Sequence, residues 1–148
     1  MLTMSLLVIV MAVFMFLEFS NVLALYFRKD SKMANSVGVF NAYEKSKSDS
    51  EMHNFVNYLV NWVAGTKLIF LALLTVIILF GTPMMQYWAL WALMLSISTF
   101  YWKLYPLVKK MDVESQITPK GYSRTLGVMI SAFIIVFLVV AVYTLIQM

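Results

Sequence analysis

The sequence contains no cysteine and few charged residues. Without cysteine it cannot form disulfides, thiolate metal sites or cysteine nucleophiles. Charged residues make up only 12% of the 148-residue chain, and hydrophobic residues make up 62%. Soluble domains average roughly 25% charged and 45–50% apolar residues. A soluble core of this size cannot hide so much apolar surface, so the composition indicates an integral membrane protein.

Catalytic and metal-binding motifs are also missing from the sequence. It has no glycine-rich phosphate loop, no HExxH and no GxSxG pattern. Its one histidine, His53, has no Asp, Glu or Cys at metal-ligand spacing, so we assign it an interfacial role, with acid-base chemistry as the alternative. We therefore predict no catalytic residues, no metal and no cofactor, and we favour a non-enzymatic protein over an enzyme.

Four apolar runs are long enough to cross a membrane as helices, which takes about 20 residues for a hydrocarbon core of roughly 30 Å. We place them at about residues 2–27, 55–80, 87–105 and 126–146. A turn containing Gly81 and Pro83 joins the second and third runs as a hairpin. The sequence predicts an all-α polytopic membrane protein, a single domain with four transmembrane helices in an antiparallel bundle. Ser123 or Thr125 is expected to cap the fourth helix.

Basic residues predict the orientation of the chain. They concentrate in segments 28–54 and 106–125, whereas the Gly81 turn and both termini carry none. By the positive-inside rule these two loops are cytoplasmic and both termini lie outside, in a plasma or inner membrane. We expect the basic loops to face membrane lipid, because no basic patch interleaved with aromatics supports a nucleic-acid partner. Within the first loop the apolar stretch Val37 to Tyr43 is expected either to lie among the lipid head groups or to dock on the bundle.

Tryptophans are expected at the membrane–water interfaces, where their amphipathic rings are enriched. Trp88 and Trp91 belong to the outer end of the third span, and Trp102 belongs to its inner end. Trp62 lies near the inner end of the second span, together with His53 at the membrane boundary.

Two charged residues interrupt the apolar runs, Glu18 in the first span and Lys67 in the second. At 100° per residue, Asn57, Asn61 and Lys67 share one face of their helix, while Asn21 lies one turn from Glu18. An unpaired charge at mid-bilayer costs at least about 2.5–3.5 kcal/mol, and the two charges lie at overlapping depths. We therefore predict a direct or water-bridged Glu18–Lys67 pair within a polar cluster of Glu18, Asn21, Asn57, Asn61 and Lys67.

Alternatives to this pair remain open. Lys67 can extend along its helix toward the cytoplasmic interface, and Glu18 can be protonated among asparagines. If the pair forms, it either fixes the register of the two helices or binds a proton, an ion or a polar ligand head group.

The span layout and chain length resemble those of the membrane-associated proteins of eicosanoid and glutathione metabolism. In the stretch SDSEMHNFVNYLVN, Asn61 falls where that family has an asparagine. The resemblance implies a trimer that transfers glutathione to lipophilic acceptors. However, Asn57 stands in place of the family's arginine and Ala64 in place of its carboxylate. These departures remove the charged groups expected to hold glutathione.

Three functions are consistent with these patterns. The first is a non-catalytic helical-bundle subunit for interaction or assembly, as a homo-oligomer or with another membrane protein, because the fourth span is almost uniformly apolar. The second is a small transporter or a ligand- or lipid-binding protein that uses the polar cluster. The third is a lipid-modifying enzyme of the glutathione-transferase type.

Overall fold

A computed structural model describes residues 2–32 and 35–147 of the chain. Over these residues the protein forms six α-helices and no β-strand, so the predicted all-α class is confirmed for them. The helices are α1 (Leu2–Phe27), α2 (Asn41–Ser46), α3 (Ser50–Phe80), α4 (Pro83–Ser98), α5 (Leu104–Val113) and α6 (Tyr122–Gln147). Short 3-10 helices occupy Val37–Val39 and Thr99–Tyr101.

Three of these helices are long and apolar enough to cross a membrane: α1 over Leu6–Phe27, α3 and α6. The prediction that 87–105 forms one continuous helix is wrong. Helix α4 begins earlier, at Pro83, because the Thr82 hydroxyl accepts a hydrogen bond from the Met85 amide at 3.3 Å and caps it. It ends at Ser98, where the Ser98 hydroxyl donates to the Met94 carbonyl at 2.7 Å and the backbone tightens into a 3-10 turn.

The main apolar core lies where α1 meets α3, α4 and α6. Phe14 of α1 is at its centre, with its ring edge-to-face against Phe133 and Phe137 of α6, both at centroid distances of 5.4 Å. Phe137 is the largest fully buried side chain among the described residues. The fourth apolar run therefore contributes to the core of the chain, because α6 buries one side against α1 and α4 and exposes the other.

The two predicted cytoplasmic loops pack against each other. Val39, which is fully buried, contacts a cluster formed by Val108 of α5, Ile117, and Tyr122 and Leu126 of α6. The backbone adds two hydrogen bonds, from the Asn41 amide to the Gln116 carbonyl at 2.9 Å and from the Thr118 amide to the Val39 carbonyl at 2.8 Å. Of the two expectations for the apolar stretch Val37 to Tyr43, docking is the one observed.

The second loop also differs from its prediction, since residues Leu104–Val113 form α5 and α6 begins at Tyr122 rather than near residue 126. The carboxylate of Asp112 accepts hydrogen bonds from the Gly121 amide at 2.9 Å, the Ser123 amide at 2.9 Å and the Ser123 hydroxyl at 2.6 Å. Asp112 thus supplies the cap of α6, and the expected cap by Ser123 or Thr125 is wrong. The Ser123 hydroxyl, with the two backbone amides and the charge of Lys120, lowers the pKa of Asp112 despite its burial.

Gly38 allows the first loop to fold back over the end of α1. A Cβ atom at this position would lie 2.5 Å from the Ser31 carbonyl oxygen and 2.6 Å from the Lys29 carbonyl oxygen. Because both neighbours are backbone atoms, they cannot move aside as a flexible side chain would. Only glycine fits this approach without a shift of the segment.

Candidate functional site

Lys67 of α3 and Glu18 of α1 are in direct contact. The Lys67 Nζ lies 2.7 Å from Glu18 Oε2 and 2.6 Å from Asn21 Oδ1. The side chains of Lys67 and Glu18 are 23% and 27% exposed, so both are largely buried. Asn21 also donates to the Asn35 carbonyl at 2.9 Å, which links this pair to the loop that follows α1.

Packing between α1 and α3 brings the two charges together. Ala64 of α3 is fully buried, and Val22 and Leu25 of α1 pack in the same cluster as Ala64 and Val60. Small residues allow close approach of helices in a membrane, and the fully buried Ala64 allows it here. The face of α3 that carries Ala64 and Lys67 is therefore the face that contacts α1.

The other two members of the predicted polar cluster lie elsewhere. Asn57, near the start of α3, accepts a hydrogen bond at 3.0 Å from the Nζ of Lys29, which follows the end of α1. The Asn61 side chain is exposed and forms no hydrogen bond within residues 2–32 and 35–147. The structure therefore brings together Glu18, Asn21 and Lys67 but neither Asn57 nor Asn61. Asn57 lies roughly 15 Å along α3 from Lys67, which is too far for a shared cluster.

Beside the ion pair lies a groove of about 480 Å³ between α1, α3 and α4. This volume is typical of small-molecule sites, which span roughly 300–1,000 Å³. Small side chains on α4, at Ala89 and Ala92, leave the space open. Apart from Glu18, Lys67 and Ser96, the lining is apolar and consists of Phe14, Phe70, Leu73, Leu74, Ile77, Ala89, Ala92, Leu93 and Ile97.

The ion pair retains hydrogen-bonding capacity next to this groove. A lysine ammonium has three N–H donors, and two of them are directed to Glu18 and Asn21. Glu18 Oε1 has no hydrogen-bond partner in the part of the chain that the structure describes. One N–H donor of Lys67 and one oxygen acceptor of Glu18 therefore remain available on two residues that line a groove whose other walls are almost entirely apolar.

The residues predicted at the interfaces have mixed environments. Trp62, Trp88 and Trp102 are exposed, whereas Trp91 is half-buried and packs against the main core. His53 is half-buried, with its Nδ1 3.0 Å from the Ser46 hydroxyl and its ring beside that of Tyr43. No group of three or more potential metal ligands occurs among the described residues.

Gln86 was not singled out by the sequence, yet it is buried in the first turn of α4, next to the end of α3. Its Nε2 donates to the carbonyls of Ile78 at 3.2 Å and Gly81 at 3.3 Å, which are unpaired groups at the C-terminal end of α3. Its position in the first turn of α4, five residues after Gly81, is the signal that indicates this role. Gln86 thus joins the ends of the two helices that form one side of the groove.

The chain matches no protein-family model, no curated protein and no solved structure.

Proposed function

We propose that this protein binds a single-chain amphiphile from the membrane in the groove between α1, α3 and α4. The observation that carries the proposal is the position of Lys67 and Glu18 in a groove of about 480 Å³ that is otherwise apolar. Binding sites of this kind combine a hydrophobic body with a few polar groups that orient the ligand. The apolar chain of the ligand lies along α3 and α4, and its head group bonds to Lys67 and Glu18.

The ion pair selects the head group. Lys67 and Glu18 together carry no net charge, so a charged head group would add an unbalanced charge at a depth where charge is costly. A hydroxyl or a protonated carboxyl group instead accepts a hydrogen bond from Lys67 Nζ and donates one to Glu18 Oε1. The ligand class is therefore a fatty alcohol, a protonated fatty acid or a monoacylglycerol.

Photoaffinity labelling with a diazirine-bearing fatty alcohol tests this binding. Ala92→Trp fills the groove from α4, and we expect it to abolish labelling of α3 and α4. Leu79→Trp is the matched control, because Leu79 is exposed and does not line the groove. Glu18→Gln combined with Lys67→Met should weaken labelling while the fold is retained. Equal labelling of the wild-type protein and Ala92→Trp would refute the site.

The binding function requires a membrane topology, for which we propose four crossings with both termini outside and both basic loops in the cytoplasm. The fourth crossing is α4 extended by the 3-10 turn, 16 residues and 3 residues long. Their rises sum to roughly 30 Å, the thickness of the hydrocarbon core. The contact between the two basic loops supports their location on one side. A cysteine at Ser48 should react with an impermeant maleimide only from the cytoplasm, and one at Met84 only from outside.

A non-catalytic assembly subunit is the second candidate, and the exposed apolar side of α6 favours it. Ile135, Val139 and Val142 form part of this side and contact no other helix of the chain closely enough to be buried. A second copy of the chain or another membrane protein would cover the same surface. Cysteine cross-linking through Val139 in native membranes distinguishes this role from amphiphile binding, since the groove lies on other helices.

A further inference from the structure

A second groove, of about 410 Å³, runs along α6 on the side of the 3-10 helix Thr99–Tyr101 and α5. Arg124 lies at one end and Ile135 at the other, and the wall between them includes Gly127, Val128 and Ala132. The rings of Tyr101 and Tyr105 form the opposite wall. The missing side chain of Gly127 makes room for this arrangement, because a Cβ atom there would lie 2.9 Å from the Tyr105 ring.

Arg124 is the charged group of this groove. No ion pair or side-chain hydrogen bond of Arg124 occurs among residues 2–32 and 35–147. The hydroxyl of Tyr101, in contrast, is already satisfied by the Gly127 carbonyl at 2.7 Å and the Ser131 hydroxyl at 2.6 Å. A guanidinium group that is free to form two parallel hydrogen bonds is well suited to a phosphate.

The dimensions of the groove fit one leaflet of a bilayer. From Arg124 to Ile135, α6 rises roughly 16 Å, and half of a hydrocarbon core of about 30 Å is about 15 Å. Arg124 lies in the first turn of α6, beside the basic loop segment, which is where lipid phosphates lie if α6 crosses the membrane. A phosphate at Arg124 therefore leaves an acyl chain in register with Val128, Ala132 and Ile135.

We infer that this groove binds a phospholipid with an anionic head group, whose phosphate pairs with Arg124 and whose acyl chain lies along α6. The charge of Arg124, the apolar wall below it and the matching length of one leaflet support this occupant. The site is separate from the groove beside Lys67, so either binding event can occur without the other.

Lipid binding to the purified protein in nanodiscs tests the inference. The probe is phosphatidylglycerol diluted into phosphatidylcholine, with retention measured by native mass spectrometry. We expect the wild-type protein to retain phosphatidylglycerol preferentially and Arg124→Gln to bind it about five-fold more weakly, since a basic side chain near a lipid surface contributes about 1 kcal/mol. Arg28→Gln is the matched control, because it removes the same charge from an exposed residue that lines neither groove.

A second pair of variants tests the acyl-chain part of the site while Arg124 is kept. Ala132→Trp fills the groove and should displace phosphatidylglycerol, whereas Val139→Trp, on the exposed side of α6 farther along the helix, should not. Inorganic phosphate should not compete, because the chain contributes to binding. Equal retention of the two lipids, an equal loss with Arg28→Gln, or efficient cross-linking of two copies through a cysteine at Ala132 would each overturn the inference.

Discussion

Replacing Glu18 by glutamine and Lys67 by methionine, singly and together, measures how strongly these two residues depend on each other. Lys67 Nζ makes two short hydrogen bonds, at 2.7 Å to Glu18 and at 2.6 Å to Asn21. Hydrogen bonds to charged groups contribute about 1.5–3 kcal/mol each. Breaking a fully buried ion pair costs about 3–5 kcal/mol, and this pair is about a quarter exposed, so we expect the lower part of that range or less.

Each single substitution should therefore lower the free energy of unfolding by about 2–3 kcal/mol, because it leaves the other charge without its partner. The double substitution leaves no charge, and we expect it to cost about 1–2 kcal/mol less than the sum of the two single effects. The four variants are compared by thermal unfolding in the same detergent, at the same protein and lipid concentrations.

Lys29→Met provides the control for this cycle. Lys29 also pairs with an asparagine, Asn57 at 3.0 Å, but it lies beyond the end of α1 and does not contact Glu18. Residues more than about 7–10 Å apart without shared partners have additive effects, so Lys29→Met and Glu18→Gln should be additive. If Glu18→Gln and Lys67→Met are also additive to within about 0.5 kcal/mol, the two residues do not interact in the folded protein and the proposed binding site loses its polar end.

Three further substitutions test other parts of the structure. Asp112→Asn should lower the melting temperature at neutral pH by weakening the cap of α6. Since the pKa of Asp112 is lowered from its usual 3.8, this stabilisation is present above about pH 4 and is lost as the pH falls through the pKa of the folded state. The melting temperatures of variant and wild type should therefore converge in acid, and a constant difference down to about pH 2 would contradict the cap. Gly38→Ala should destabilise the first loop by about 1–3 kcal/mol through its backbone overlap, measured by melting temperature and by proteolysis of the loop, whereas Gly65→Ala, whose nearest contact is 3.6 Å away, should be tolerated. Gln86→Leu should cost about 1–3 kcal/mol, because the α3 carbonyls lose their donor, and unchanged stability would show that this residue does not hold the turn.

Local sequence patterns predicted most of the helical framework. The apolar runs of α1, α3 and α6 exceed the length needed to cross a membrane, and such runs form helices because lipid offers no hydrogen-bond partners to the backbone. The turn at Gly81 and Pro83 was also apparent from residue types alone. The bounds of the third run were wrong, because hydropathy does not register the Thr82 cap at its start or the hydroxyl groups of Ser98 and Thr99 at its end.

The candidate site was predictable only in part. Charges within an apolar run are costly, so the sequence by itself singled out Glu18 and Lys67, and helical periodicity added the asparagines to the cluster. Periodicity describes which residues share a face of one helix. It does not show which of them lie at the same height as a given residue of the neighbouring helix. As a result, Asn57 was grouped with Lys67, although the position of α1 against α3 pairs it with Lys29 instead.

The groove and the cap of α6 were decided by the tertiary structure alone. The space beside Lys67 exists because α1 and α4 approach α3 at positions where α4 carries alanines, and no local pattern specifies that approach. In the sequence nothing distinguishes Asp112 from other loop carboxylates. The structure shows its role, because α5 holds it against the first turn of α6. Composition and periodicity determine which segments are helical and apolar, because these properties depend on each residue and its near neighbours along the chain. The pairing of distant residues depends on how complete helices pack, and that is where the candidate site arises.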